Sequence, residues 1–186
     1  LFAQVLMEEM PLLPVEEEGR LHDPALRENF FERVFGYFRL CRLFGPRWRL
    51  ADLVRFHTAE KLLLMAHDPA RYGLLGQLVA NAKGQDRKAL ASLYQQHFMT
   101  ALGRLATRGR HANVLQHMLG HLKQYLTSQE KQELVEAIED FRRGWTPLVV
   151  PITLFRHFVR RYEVGYLAGQ TYLEPHPREL MLRNHV

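Results

Sequence analysis

Residues 23–41, DPALRENFFERVFGYFRLC, decide the fold class. Asp23 is a helix N-cap residue, and Pro24 stands at the first helical position, where a missing backbone N–H costs nothing. Leu26, Phe30, Val34, Tyr37, Phe38 and Cys41 then recur at three-to-four spacing. That period predicts an amphipathic helix with the stripe turned to a core, ending near Phe44-Gly45-Pro46. Cys41 on such a stripe reads as a core thiol rather than a nucleophile.

The same signals recur in both directions along the chain. A second helix is expected from about Leu50 to Ala66, and Asp68-Pro69 repeats the Asp-Pro start for a third, Ala70 to Asn81. After the turn Lys83-Gly84-Gln85-Asp86, a fourth, Arg87 to Thr107, places Leu90, Tyr94, Phe98, Ala101 and Leu105 on one stripe. Arg108-Gly109-Arg110 reads as a basic turn into a fifth, Ala112 to Leu126. Thr127 with Glu130 is a capping box that opens a sixth, which ends before Gly144 with Leu134, Ile138 and Phe141 inward and Glu133, Glu136, Glu139 and Asp140 in water. Pro147 and Pro151 introduce a seventh, to about Tyr162; a short eighth is expected over Val164 to Tyr172, and a last helical turn in Pro175–Leu180. Strand-like alternation is nearly absent. The expected fold is all-α, a compact multi-helical bundle of about seven to nine helices.

Composition narrows the function classes. No stretch approaches the roughly 18 to 20 apolar residues of a membrane span, so no membrane association is expected. Cys41 is the single cysteine, which excludes disulfide frameworks, CxxC zinc knuckles and an intrachain iron–sulfur cluster, and suits the cytoplasm. The net charge of +5 conceals an asymmetry: residues 1–23 carry −5 and residues 24–186 carry +10. A body this basic attracts polyanions, nucleic acid above all, although solubility alone is the plainer reading. The opening LFAQVLMEEM reads as a helix end, followed by the rigid segment PLLPVEEEG; together they look like an interdomain joint, with neither the basic start nor the cleavage site of a signal peptide.

Three constellations stand out. His57 and Lys61 lie one turn apart on the apolar side of the second helix; His57 either donates to a buried carbonyl while Lys61 extends outward, or the pair contacts a phosphate or base. On the fifth helix Asn113, His117, His121 and Gln124 share one face. With Arg104, Arg108, Arg110 and His111 beside it, that face either suits RNA, where amides and imidazoles read base edges and guanidiniums hold phosphates, or is simply a solvated face. His117 and His121 could alternatively chelate a metal in an independent enzyme, but HxxxH alone is a weak signal and no metal site is assigned. Arg156 and Arg160 form a like-charged i,i+4 pair on the seventh helix, compensated by an acid from the sixth helix or by a phosphate. No GxSxG, P-loop or glycine-rich dinucleotide fingerprint is present, so no catalytic residue is assigned.

Four ordered segments, RFHTAEKLLLMAHDPARYGLLGQLVA (55–80), NVLQHMLGHLK (113–123), PLVVPITLFRHFVRRY (147–162) and QTYLEPHPRELMLRN (170–184), resemble the bacterial YbgA-like domain of unknown function over about Leu21 to Asn184. Glu60 and His121 depart from the family pattern, which has a basic residue or histidine at the first position and an aromatic at the second. The stretch LFAQVLMEEMPLLPVEEEGRL resembles the junction in proteins where this domain follows a thiouracil-desulfidase-like domain. The resemblance implies that residues 1–22 are the end of such a domain plus a linker, and that residues 23–186 are the helical domain. It further implies a non-catalytic tRNA-binding part of a tRNA 4-thiouridine desulfidase, with tRNA and the N-terminal domain of the same polypeptide as partners. The iron–sulfur cluster would belong to that other domain, with no cofactor here. The expected RNA contacts are Lys61, Arg104, Arg108, Arg110, Lys123, Arg156 and Arg160 for phosphates, with His57, His67, His111, Asn113 and His117 as more selective contacts. A protein-interaction module docking on the desulfidase domain is the rival expectation.

Overall fold

A computed structural model describes residues 2–180 and 182–184. Over these residues the chain is all-α: α1 (Phe2–Glu9), α2 (Pro24–Leu43), α3 (Leu50–His67), α4 (Pro69–Ala80), α5 (Arg87–Leu102), α6 (Arg108–Leu122), α7 (Ser128–Arg143), α8 (Val149–Arg161) and the single turn α9 (Gly165–Ala168). Four 3₁₀ turns, 18–22, 171–173, 178–180 and 182–184, complete it. None of these helices is long and apolar enough to cross a membrane.

The start signals work as local chemistry. The Asp23 carboxylate accepts from the backbone N–H groups of Ala25 and Leu26, Asp68 from Arg71, and Asp86 from Ala89. Thr127 and Glu130 cap α7 reciprocally, and Gly144, at a φ of +84°, closes it in the left-handed conformation that glycine adopts without strain.

α3 is the axis of the bundle. It packs on α2, α4, α5, α6 and the 171–173 turn. Its buried residues, Leu53, His57, Glu60, Leu62, Leu63, Leu64, Ala66 and His67, run round the whole cylinder, as in a helix with neighbours on every side. Around it α4, α5 and α6 contribute Leu75, Tyr94, Phe98, Leu115 and Met118, and the α7–α8 pair adds Phe141 and Phe155 to one continuous core. α1 leaves Val5 and Met7 exposed, whereas Leu12 packs against the core and Glu16 lies 3.7 Å from Arg33 of α2.

Three expectations are corrected. α2 is turned the other way: its buried residues are Glu28, Asn29, Glu32, Gly36 and Leu40, while Cys41 is exposed and Phe38 is 56% exposed. The inward row can be polar because distant side chains pair with it. α5 ends at Leu102, which leaves Leu105 exposed beyond it. Arg108-Gly109-Arg110 is no turn but the first turn of α6, because the Thr107 hydroxyl accepts from the Arg110 N–H and starts the helix there.

Candidate nucleic-acid interface

A series of rings crosses four helices. His57, on the inner side of α3, shares a 3.0 Å hydrogen bond between Nδ1 and the Tyr94 hydroxyl, and its ring lies parallel to that of Tyr72 on α4, 6.3 Å between centroids. Its Nε2 is buried without a hydrogen-bond partner among the described residues. Gly76 of α4 leaves room beside that nitrogen, since a Cβ there would sit 3.8 Å from it. Burial, then the ammonium of Lys61, pushes the His57 imidazole down to about 4, so it is neutral near pH 7. Tyr166 of α9, whose hydroxyl burial and the nearby Tyr72 raise, meets the His121 ring of α6 at 4.7 Å. His57 and Tyr72 thus meet at the buried α3 end, beside Lys61, and Tyr166 and His121 meet at the open α6 end, two ring pairs that make up the series.

The open end continues along α6. Asn113, His117 and His121 follow one another at four-residue spacing, all exposed, and Lys123 is exposed at the C-cap. Tyr125, just beyond, stacks on Tyr162 with centroids 6.4 Å apart. Rings offering their faces, interleaved with lysine and amide donors, are what unpaired bases stack on. Among the described residues, no three His, Cys, Asp or Glu side chains converge as a metal cage requires.

Other expected contacts are reassigned by burial. His67 and His111 are buried, so neither can touch RNA in this fold. They belong to a charged network under α2: His67 Nε2 lies 2.9 Å from Glu32, Arg183 donates to Glu28 at 3.1 Å and Glu32 at 3.3 Å, and His111 Nδ1 shares a 2.8 Å hydrogen bond with the Tyr172 hydroxyl. Burial alone would raise the Glu32 carboxyl; His67 and Arg183 overcome it and hold the group down at about 2. Burial alone would likewise lower His67, but the Glu32 carboxylate reverses the direction and keeps the ring charged. Burial and the Arg183 guanidinium push His111 down to about 3. Glu60 is also structural, taking Arg39 at 2.7 Å and the Thr171 hydroxyl at 2.9 Å.

The arginines around the start of α6 serve as ties. Arg104 pairs with buried Asp68 at 3.2 Å, and Arg110 donates to the carbonyls of His67 and Leu105. Arg108 donates to the Phe141 carbonyl at 2.7 Å and lies over that residue's ring. These bonds tie α6 to the end of α3 and to α7, while Arg104 and Arg108 remain exposed residues. Burial of His57 limits its direct reach.

Arg156 and Arg160 lie elsewhere. They line a cleft of about 360 Å³ between α8 and the 173–184 segment, with His176 and Arg183 at its inner side. Arg156 is ion-paired with Glu174, the acid that compensates the like-charged pair. Sequence reasoning did not single out Tyr72, Tyr166, His176 or Arg183. Tyr72 and the tail motif were visible as residues, but only the docking of α4, α9 and the tail onto α3 and α2 reveals their neighbours.

The comparisons come down on one family. Residues 61–177 match the model of a protein family of unknown function, DUF1722. The chain is 32% identical over 153 residues to the uncharacterized protein YbgA of Escherichia coli (strain K12), which spans 82% of this chain and 90% of that protein. No solved structure matches.

Proposed function

This chain belongs to the DUF1722 family of proteins of unknown function, which includes relatives like YbgA, and from that premise we propose that it is a cytoplasmic RNA-binding accessory domain. It holds tRNA for sulfur removal from 4-thiouridine by a desulfidase-like domain of the same polypeptide, and performs no chemistry itself. What supports this reading is the ring series that opens between α9 and α6. Tyr166, 38% exposed, and His121 offer faces for unpaired bases, with His117, Asn113 and Lys123 as donors around them. The +10 charge of residues 24–186 supplies the long-range attraction.

The test is filter retention of labelled tRNA at low salt. Saturable retention is expected, and Tyr166→Ala or His121→Ala should weaken it by about five- to a hundredfold, the range of one lost base-stacking contact. Absence of tRNA retention by the chain at low salt overturns the reading.

One observation favours a docking role alongside it. Phe38 on the outer face of α2 and Val5 and Met7 on α1 are exposed apolar side chains, as a surface for the desulfidase-like domain would need. Phe38→Asp is then expected to lower desulfidation by the two-domain protein while leaving tRNA retention unchanged.

A further inference from the structure

The cleft beside α8 is lined by two chemically distinct kinds of side chain. Ile152, Leu173 and Leu182 supply apolar lining, and Arg156 and Arg160, one helical turn apart, add two guanidinium side chains to the same lining. Arg160 is exposed, and its Nε donates to the Arg156 carbonyl of its own helix. Arg156 already holds one oxyanion there, the carboxylate of Glu174. A volume of about 360 Å³ falls within the range of sites that enclose small organic ligands.

His176 adds an independent feature. Its side chain is 5% exposed, it lines the cleft, and Nε2 has no hydrogen-bond partner among the described residues; Glu28 Oε1 is 3.9 Å away, too far for a hydrogen bond. Nδ1 lies 3.2 Å from the Pro177 carbonyl, which can only accept, so Nδ1 carries the proton. In the neutral ring Nε2 is therefore an acceptor, buried in a residue of the cleft lining, and a buried acceptor of that kind is costly until a donor reaches it.

We propose that this cleft binds a nucleoside monophosphate, either free or as the end of an RNA strand. The phosphate lies between Arg156 and Arg160, displacing Glu174. A ribose hydroxyl donates to His176 Nε2, and the base lies on the apolar lining of Ile152, Leu173 and Leu182. The site is separate from the ring series on which the tRNA-binding reading rests, and either can fail without the other.

The experiment is calorimetric titration of the chain with AMP, UMP, inorganic phosphate and a 5′-phosphorylated RNA trinucleotide, each repeated on Arg160→Ala, His176→Gln and Glu174→Gln. Expected is saturable binding of the nucleotides, tighter than of inorganic phosphate. Arg160→Ala should weaken it at least about tenfold, the scale of one lost charge-assisted contact. His176→Gln, whose amide oxygen can still accept, should weaken it less, and Glu174→Gln should tighten it by removing the competing carboxylate. If only the trinucleotide binds, the ligand is a strand end; if the mononucleotides bind as well, it is a free nucleotide. No saturable binding of any nucleotide, or binding that Arg160→Ala leaves unchanged, overturns the proposal. The fold is checked independently by the helical circular dichroism of each variant, and Arg160 contributes no core contact to lose. Retention of tRNA unaffected by Arg160→Ala, beside loss of mononucleotide binding, separates this site from the ring series.

Discussion

Glu32 is the residue on which the interior turns. It is 2% exposed and faces two cations, His67 and Arg183, so its removal leaves His67 buried without its anion and Arg183 with Glu28 alone. Breaking one partner of a buried pair costs about 3–5 kcal/mol, and Glu32→Gln should lower the unfolding free energy in urea by that order. Two other histidines set the acid limit. His57 and His111 are held at about 4 and about 3, against 6.5 for an unhindered imidazole, so the folded chain binds fewer protons than the unfolded one between those values. Their contribution is complete above pH 6.5 and is lost as the pH falls, with a slope approaching about 1.4 kcal/mol per pH unit for each ring. His67, raised by Glu32, is charged in both states below 6.5 and adds no slope there; its contribution disappears only as the pH rises through its folded value. Urea midpoints measured between pH 7.5 and pH 5 should therefore fall, and His111→Gln should flatten that fall; an unchanged slope would contradict the neutral buried rings. At this scale the sequence was informative about residue type and silent about partners. His57 and Lys61 were legible as a pair because four residues make one helical turn. Glu28 and Glu32 pair with Arg183, more than 150 residues away, and no local period carries that information.

Helices were legible where a short side chain caps them. Asp23, Asp68, Asp86 and Thr127 each sit one residue before a helix and accept from its first N–H groups. Thr107 does the same for α6 and was passed over because Arg108-Gly109-Arg110 has the composition of a turn. For α7 the cap has a measurable weight: Thr127→Ala leaves the Glu130 N–H unpaired and should cost about 1 kcal/mol, within the usual 0.5–2, read as a shift in thermal or urea midpoint. Glu130 also takes the Tyr162 hydroxyl at 2.8 Å and Arg161 at 2.8 Å, so Glu130→Ala should cost more than Thr127→Ala by detaching α8 from α7. The face of α2 was misread for a physical reason. Aromatic residues occupy more than one side of it, and the choice fell to the row Glu28, Glu32, Gly36 and Leu40, where cations and a close approach were available. At Gly36 a Cβ would come within 2.5 Å of the Leu102 side chain, so only glycine lets α5 lie this near.

For the whole molecule, the question is where its charges lie. The acids Glu133 and Glu136 are exposed on α7, whereas Lys61, Lys123, Arg156 and Arg160 lie at the ring series, the end of α6 and the cleft. If tRNA follows these basic residues, Lys61→Ala and Lys123→Ala should each lower the slope of log affinity against log salt by about 0.7–0.9, and the double charge reversal Glu133→Lys/Glu136→Lys should leave it nearly unchanged. Equal responses from the two pairs would mean that the attraction is only net charge. The all-helical architecture was legible throughout, because capping and apolar period are local. The candidate interface was legible only in part: α6 displayed its polar face, but Tyr72 and Tyr166 joined it through packing between helices distant in sequence.

The salt bridges from Arg183 to α2 also act on the clock of synthesis. Glu28 and Glu32 leave the ribosome about 150 residues before Arg183, an interval of roughly 8–30 seconds at usual elongation rates. Through that interval α2 has two carboxylates on its inner face and only His67 to meet them, so water competes with the core for that face. α2, made early, is then among the last helices to settle. A nascent chain that has not yet reached Arg183 is expected to leave α2 open to proteolysis, and one that carries Arg183 to protect it.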